Sequence, residues 1–246
     1  MYLEHPPPSD LTSIVDCFWY AQSNQQVKLI LPDGCQDWIF RYQQNLSASL
    51  IGSMTQAQSI HLNQPQIFFA IRFKPGALSL LHPIPMNEIT NQDIELYDIF
   101  KLSGASRQAL EIDHLDFQQF IKVMTLELRQ RLKQADTQNL ALIHYLRKTQ
   151  QGQVQQTAES MKISRRQFQR LFNHHFGYSP RFYAKVMRFN QLVKQAKIKT
   201  ESWAELALAC GYFDQAHMNR DVKCLSGFTP AKLTKHLDVP NVQSID

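Results

Sequence analysis

Hydrophobic residues follow two different patterns along the chain. In the first hundred residues they form short apolar and aromatic runs, such as Val27–Leu31, Trp38–Tyr42 and Ile67–Phe73, separated by turn signals such as Pro32-Asp33-Gly34. Runs of this length bounded by proline and glycine are typical of strands. The pattern predicts a β-rich sandwich or barrel, although Ser9–Tyr20 is also compatible with a helix packed across it.

From about residue 77 the hydrophobic spacing becomes helical. Leu78, Leu81 and Ile84 are spaced for a short helix, and Phe117–Leu132 carries an apolar stripe at helical intervals. A stripe of this kind is either a face packed inside the domain or a helix that pairs with a second copy.

A boundary is predicted at Ala135–Asn139, where Asp136 or Thr137 is suited to cap the helix that follows. We therefore predict an α+β chain of two domains. The N-terminal domain covers residues 1–136, β-rich to residue 76 and helical from residue 77, and an all-α C-terminal domain covers residues 137–246.

The C-terminal part contains an internal repeat with an offset of 50 residues. Ser164 corresponds to Asp214, and both are good helix N-caps. The tetrad Gly177-Tyr178-Ser179-Pro180 corresponds to Gly227-Phe228-Thr229-Pro230. A short helix precedes each repeat, and Ser202 and Glu205 form a capping box for the second of them; these helices are Val154–Met161 and Trp203–Cys210. The arrangement predicts two helix-turn-helix units.

Each repeat places long donor side chains opposite an apolar face. The apolar faces comprise Phe168, Leu171, Phe172 and His175 in the first helix and Met218, Val222 and Leu225 in the second. Arginine can donate two hydrogen bonds to guanine, and glutamine or asparagine can pair with adenine in the same way. One such face alone is usually only solvated, but two in register favour DNA. The outward residues are Arg166, Gln169, Arg170, Asn173, Ala216, Asn219, Arg220 and Lys223.

A single helix from Ser179-Pro180 to about Lys197 is predicted to join the two units. It spans roughly 28 Å at the usual rise per residue, near the roughly 34 Å between successive major-groove segments. Its basic side chains are either phosphate contacts or solvated; they are Lys185, Arg188, Lys194, Lys197 and Lys199.

Charge separates the two halves. Residues 1–136 carry 10 lysines and arginines against 14 aspartates and glutamates, whereas residues 137–246 carry 16 against 7. The net charge of +5 therefore hides a basic half that points to an anionic partner, either nucleic acid or a membrane surface. No apolar run of about 20 residues and no secretory signal is present, so we expect double-stranded DNA as the partner, no membrane, and a cytoplasmic location.

These residues resemble the DNA-binding domain of the AraC/XylS family of bacterial transcription regulators over about Leu140–Leu237. The resemblance is carried by SRRQFQRLF with GYSP (164–172, 177–180), WAELALACGYFDQAHMNRDVK (203–223) and GFTP (227–230). It implies sequence-specific regulation of transcription with RNA polymerase as a partner. It also implies base-reading positions at Arg166, Gln169, Arg170, Gln215, Asn219 and Arg220. Together with Arg165, Asn173 and Lys223, these make nine candidate DNA-binding residues.

The chain departs from the family pattern at four positions. Lys162 stands where the family often has glycine, Met218 and Val222 replace aromatic core residues, and Asp221 adds a negative charge to a helix expected near DNA. The second unit is therefore expected to contribute mainly phosphate contacts.

The N-terminal part is similar, more loosely, to a β-rich, cupin-like sensor domain found ahead of this DNA-binding domain. The similarity lies in FWY (18–20), LPDGCQDWIF (31–40) and IRFKPGALSLL (71–81). Such domains bind a small-molecule effector, form a homodimer, or do both. The aromatic residues of this part are either core or the lining of an effector pocket, for which the candidates are Trp19, Trp38, Phe40 and Phe69.

Enzyme chemistry is not expected, since no nucleophile elbow, phosphate loop or zincin motif occurs. Neither a metal nor a cofactor is predicted, because Asp33, Cys35, Asp37 and either His61 or His82 lack a ligand spacing. Scattered cysteines, with no C-x-x-C pair, indicate a reducing compartment. Two alternatives remain open. One is an architectural DNA binder without effector control, and the other is a DNA-repair alkyl acceptor, which resembles a thiol-bearing zinc domain fused to the same helix-turn-helix domain.

Overall fold

The computed structural model describes residues 1–23, 27–42, 46–61, 65–82, 84–112, 115–135, 137–148, 154–196 and 202–237. Its N-terminal part is β-rich, as predicted. The strands are β1 (Tyr2–His5), β2 (Val15–Ser23), β3 (Val27–Ile30), β4 (Gln36–Tyr42), β5 (Leu46–Ile51), β6 (Gln58–His61), β7 (Gln66–Phe73) and β8 (Asp93–Glu95). Six of them form an antiparallel sheet in the order β1-β2-β7-β4-β5-β8, and β3 pairs with β6 in a separate ribbon.

Strand β2 occupies the segment for which a helix was the alternative. Only Ser9–Leu11 forms a short 3-10 helix, and Val15–Ser23 pairs with β1 on one side and β7 on the other. The helix at Ser9–Tyr20 is therefore wrong. Both faces of β2 are covered, with Phe18 in the main core and Trp19 in a smaller cluster on the opposite face. A strand buried on both faces shows no alternation of apolar and polar residues.

Helices cover the inner face of the sheet. Short 3-10 helices lie at Ala77–Leu80 and Met86–Glu88, and they are followed by α1 (Leu96–Ile99), α2 (Gly104–Leu110) and α3 (Phe117–Leu132). The apolar stripe of α3 is buried in the main core, where the Phe120 ring lies 5.3 Å from the rings of both Phe40 and Phe69. Of the two interpretations of this stripe, the structure confirms the packing face.

The C-terminal part is all-α, as predicted. Its helices are α4 (Thr137–Arg147), α5 (Val154–Ser160), α6 (Arg165–Phe176), α7 (Pro180–Ala196), α8 (Trp203–Ala209), α9 (Gln215–Ser226) and α10 (Pro230–Leu237). Asp136, one of the two proposed caps of α4, lies outside the described residues. Both tetrad glycines end their helices in the left-handed conformation, with φ of 83° at Gly177 and 78° at Gly227.

The repeat changes its offset inside the turns. After α5, Lys162 has a φ of 55°, and the structurally equivalent residue after α8 is Gly211 with a φ of 78°, an offset of 49 rather than 50. The backbone confirms the equivalence, because Ile163 N donates to Ala158 O and Tyr212 N donates to Ala207 O. The second turn therefore contains one extra residue, Phe213, whose side chain is 85% exposed.

Replacing Lys162 with glycine is expected to raise the free energy of unfolding by about 1 kcal/mol, because a left-handed backbone is strained at any residue with a β-carbon. Urea denaturation of the full chain measures the change. The reverse substitution, Gly211→Lys, should lower stability by a similar amount, since its added β-carbon would meet only Arg188 Cδ at 3.7 Å. A stability unchanged in both variants would contradict the assignment of these two turns.

The N-terminal domain packs against both helix-turn-helix units, and we call this contact the junction. Toward the first unit, Ser53 Oγ donates to Phe176 O at 2.9 Å and Thr90 Oγ1 donates to Gly177 O at 2.8 Å. A further hydrogen bond of 2.8 Å joins Ser79 Oγ and His175 Nδ1. Burial lowers the pKa of His175 to about 4, so this ring is neutral near pH 7.

Toward the second unit, the loop between β3 and β4 packs against α7. Leu31 is buried in the same cluster as Phe189 and Leu225. Asn190 Nδ2 donates to Asp33 O at 2.8 Å. A β-carbon at Gly34 would lie 2.9 Å from Met187 Cε, so the loop passes directly against the helix. The junction therefore positions both units against one N-terminal domain.

Candidate nucleic-acid interface

A capping box fixes the start of the first recognition helix, α6, and a buried aromatic face fixes its orientation. Ser164 Oγ accepts from Gln167 N at 3.2 Å, and Gln167 Oε1 accepts from Ser164 N at 2.8 Å. On the inner face Phe168 and Phe172 are fully buried, and the Phe172 ring stacks on Phe176 with centroids 4.1 Å apart. The inward face is the predicted one, and it fixes which side of the helix meets solvent.

The second recognition helix, α9, is built in the same way with smaller side chains. Asp214 Oδ1 accepts from His217 N at 2.6 Å and caps the helix. Met218, Val222 and Leu225 are fully buried, so the non-aromatic residues of this unit still fill its core. Ahead of it, the predicted capping box of α8 is present, with Ser202 and Glu205 bonded reciprocally.

All nine candidate DNA-binding residues lie on exposed surface. The candidates of the first unit lie along α6, and those of the second unit lie along α9. The exposed candidates are Arg165, Arg166, Gln169, Arg170, Asn173, Gln215, Asn219, Arg220 and Lys223. Two solvent-facing rows of arginine, lysine and amide side chains can each donate to base edges and to phosphates.

Asp221 does not face the predicted DNA side, contrary to expectation. Its side chain is 7% exposed and lies close to three basic side chains, 3.2 Å from Lys185 Nζ, 3.4 Å from Arg188 Nη2 and 3.5 Å from His217 Nε2. The negative charge that Asp221 adds to a helix expected near DNA is therefore turned into the structure. The argument that this charge weakens base reading by the second unit no longer applies.

The joining helix α7 has 17 residues, which corresponds to about 26 Å. Lys185 and Arg188 are half-buried and form ion pairs with Asp221. These two side chains are therefore held by the protein and are not simply solvated. Lys194 is exposed. Lys197 and Lys199 lie outside the described residues.

The structure does not bring the four effector-pocket candidates together. Trp38 and Phe40 are fully buried and Phe69 nearly so, all in the main core, where the Trp38 ring contacts Phe100 with centroids 4.3 Å apart. Trp19 lies on the opposite face of the sheet and donates from Nε1 to Asp37 Oδ1 at 2.8 Å. An effector pocket at these residues stays a prediction.

A buried charge cluster at the junction was not predicted from the sequence. The Arg72 guanidinium, 4% exposed, lies 3.6 Å from Asp33 Oδ2, 3.7 Å from Asp37 Oδ1 and 3.5 Å from Glu4 Oε1. Burial raises the pKa of Asp37 to about 6, although Arg72 opposes the rise. Within the described residues, no group of three or more histidine, cysteine, aspartate or glutamate side chains is placed to hold a metal ion.

Two family models match the chain, one in each part. Residues 157–236 match a model described as a helix-turn-helix domain, and residues 3–95 match a model described as a domain of unknown function, DUF6597. None of the curated proteins matches the chain. Within the part of the chain that the structure describes, no helix combines the length and apolarity needed to cross a bilayer.

Among solved structures, the chain is similar to ToxT from Vibrio cholerae. The 1.65 Å structure of ToxT shares 9% identity at a TM-score of 0.48, covering 90% of this chain and 98% of that chain. ToxT from strain O395 shares 12% at 0.45, covering 89% and 96%. ToxT from strain SCE256 with a bound unsaturated fatty acid shares 12% at 0.43, with the same coverage. Likeness at this level carries no weight for the function of the present chain.

The helix-turn-helix match covers both repeats together with the helix that joins them. Residues 157–236 are thus an AraC-type helix-turn-helix domain, the DNA-binding domain of a transcription regulator. The resemblance predicted from the sequence is confirmed for this domain.

Proposed function

We propose that this chain regulates transcription by reading two successive major-groove segments of one DNA duplex. The observation that carries the proposal is the placement of equivalent donors on both recognition helices. Arg170 and Arg220 hold the same repeat position, as do Gln169 and Asn219, and all four are exposed. A joining helix of about 26 Å suits two readers placed one duplex turn apart.

Control of DNA binding is assigned to the N-terminal domain. The junction supports this part of the proposal, because hydrogen bonds join the N-terminal domain to Phe176 and Gly177 in one unit and to Asn190 beside the other. A ligand or partner that binds better to one arrangement of the junction would change the relative position of the two readers. This coupling favours a controlled regulator over an architectural DNA binder.

The finer parts of the proposal follow the sequence. The two domains are residues 1–136 and 137–246, the chain works in the cytoplasm, and it performs no catalysis of its own. Its partners besides DNA are a small-molecule effector, RNA polymerase and a second copy of the chain. The nine exposed donors are its DNA contacts. Because Asp221 is turned inward and Met218 and Val222 fill the core of the second unit, we assign base reading to Arg220 as well as to Arg170, in place of the mainly phosphate role expected of this unit from the sequence.

Titration of the full chain against DNA tests the proposal. A duplex selected by the protein from a random library is compared with a random duplex of equal length by fluorescence anisotropy at several salt concentrations. We expect tighter binding to the selected duplex by about a factor of 10³ or more, and an affinity for both that falls steeply with salt. Absent binding, or binding insensitive to salt, would overturn the proposal.

A further inference from the structure

A cleft of about 690 Å³ lies between the joining helix α7 and the second recognition helix α9. Its charged lining comprises Arg181, Lys185, Arg188, His217, Arg220 and Asp221. Among the described residues that line the cleft, four permanent cations thus accompany one carboxylate. A concave site with this surplus of positive charge selects an anionic ligand.

A buried carboxylate at the base of the cleft contacts several of its basic side chains. Asp221 is buried at the base and contacts Lys185, Arg188 and His217. The Arg188 guanidinium also lies over the Tyr212 ring, 5.4 Å from its centroid, and Lys185 Nζ lies 5.9 Å from the Phe182 centroid. These contacts fix the positions of Lys185 and Arg188 on the wall of the cleft.

The cleft adjoins the predicted base readers of α9. Arg220 both lines the cleft and belongs to the exposed row of α9. On α7 the lining residues Arg181, Lys185 and Arg188 recur at helical spacing and form one stripe. Between two major-groove segments on one face of a duplex, the sugar–phosphate backbone borders a minor groove. The helix that joins the two readers must cross this region.

We propose that the cleft binds a phosphate group of the DNA backbone between the two major-groove segments. Arg181 and Lys185 contact the phosphate oxygens, and Asp221 is a positioning residue that orients Lys185 and Arg188. This inference rests on the proposed function and adds to it a site that fixes the register of both units on the duplex. A free phosphate-bearing molecule shares the same chemistry and is separated from DNA by the test.

The first measurement uses the full chain with the selected and the random duplex. Lys185→Ala is expected to weaken binding to both duplexes by a similar factor, about three- to tenfold, and to lower the slope of log Kd against log salt by about 1. Lys122→Ala removes the same charge from the exposed face of α3, away from the cleft, and serves as the matched control. Unchanged affinity and slope for Lys185→Ala, with wild-type binding intact, would overturn this inference while leaving the proposed function standing. Absent binding by the wild type would overturn both.

The second measurement locates the phosphate. Single methylphosphonates are placed in turn along the central backbone of the selected duplex. One position is expected to weaken the wild type and to have no further effect on Lys185→Ala, since both changes remove the same contact. Additive losses at every position would overturn the contact. If 10 mM inorganic phosphate raises the melting temperature of the wild type but not of Lys185→Ala, and no backbone position couples, the cleft binds a free anion and not DNA.

The role of Asp221 is tested by the sign of a charge change. Asp221→Asn makes the protein more positive and would tighten DNA binding if this carboxylate only repelled phosphates. The positioning role predicts the opposite, a loss comparable to that of Lys185→Ala. Circular dichroism and the melting temperature confirm that the variant is folded, and tighter binding by the folded variant would exclude the positioning role.

Discussion

Alanine at Arg170 is expected to weaken binding to the selected duplex by about 1–3 kcal/mol and to abolish the preference at one base pair. Arg170 is exposed on α6, while Phe168 and Phe172 on the same helix are buried and anchor the helix in the core. Its guanidinium is therefore available for two hydrogen bonds to guanine, and removing it takes away a contact that depends on the base.

Comparison with other variants distinguishes base reading from general attraction. Arg220→Ala, at the equivalent repeat position, is expected to relax specificity about one duplex turn away from the first site. Lys185→Ala should weaken all duplexes equally. Anisotropy against a set of single-base variants of the selected duplex measures all three. An Arg170→Ala loss of equal size on selected and random DNA would refute base reading at that residue.

Alanine at Gly177 is expected to lower the free energy of unfolding by about 3 kcal/mol, whereas alanine at Gly227 should lower it by about 1 kcal/mol. Both glycines are left-handed helix ends, with φ of 83° and 78°. A β-carbon at Gly177 would lie 2.6 Å from Thr90 Oγ1 and 3.0 Å from Met86 O, while one at Gly227 meets nothing within 4 Å.

The difference between the two glycine variants measures the junction. Backbone strain is common to both and cancels, so the excess at Gly177 reports the contact with the N-terminal domain alone. Urea unfolding of the full chain provides the values. Equal losses in the two variants would mean that the N-terminal domain does not press on the first unit as described.

The helices of the DNA-binding domain could be predicted from the sequence because their caps and faces depend on residues close together in the chain. The caps Ser164 and Asp214, the buried Phe172 and Val222, and the exposed Arg170 and Arg220 all follow from spacings of a few residues. Helical periodicity also identified α3 as an amphipathic helix. What it left open, whether the stripe packs internally, required the positions of Phe40 and Phe69 in the sheet.

Other features depend on residues far apart in the chain and have no local signature. Strand β2 shows no alternation because both of its faces are covered. Helical spacing puts Asp221 on the inward face of α9, three residues after Met218, but nothing local to the sequence provides a partner for a buried carboxylate. The cations of α7 that pair with it lie more than 30 positions away in the chain. The hydrogen bond between Asn190 and Asp33 joins residues 157 positions apart. A spacing signal for the cleft was available, since Arg181, Lys185 and Arg188 share one face of α7.

The loop between β3 and β4 that packs against α7 limits how freely the N-terminal domain of this regulator can be exchanged for another. Leu31 completes an apolar cluster whose other buried members belong to the joining helix and to the second helix-turn-helix unit. A chimaera cut between residues 136 and 137 would leave that cluster uncovered and would supply a foreign domain without a matching side chain. Exchange of the N-terminal domain therefore requires that the residues of α7 in contact with the loop are exchanged together with it, so the two domains are not interchangeable modules.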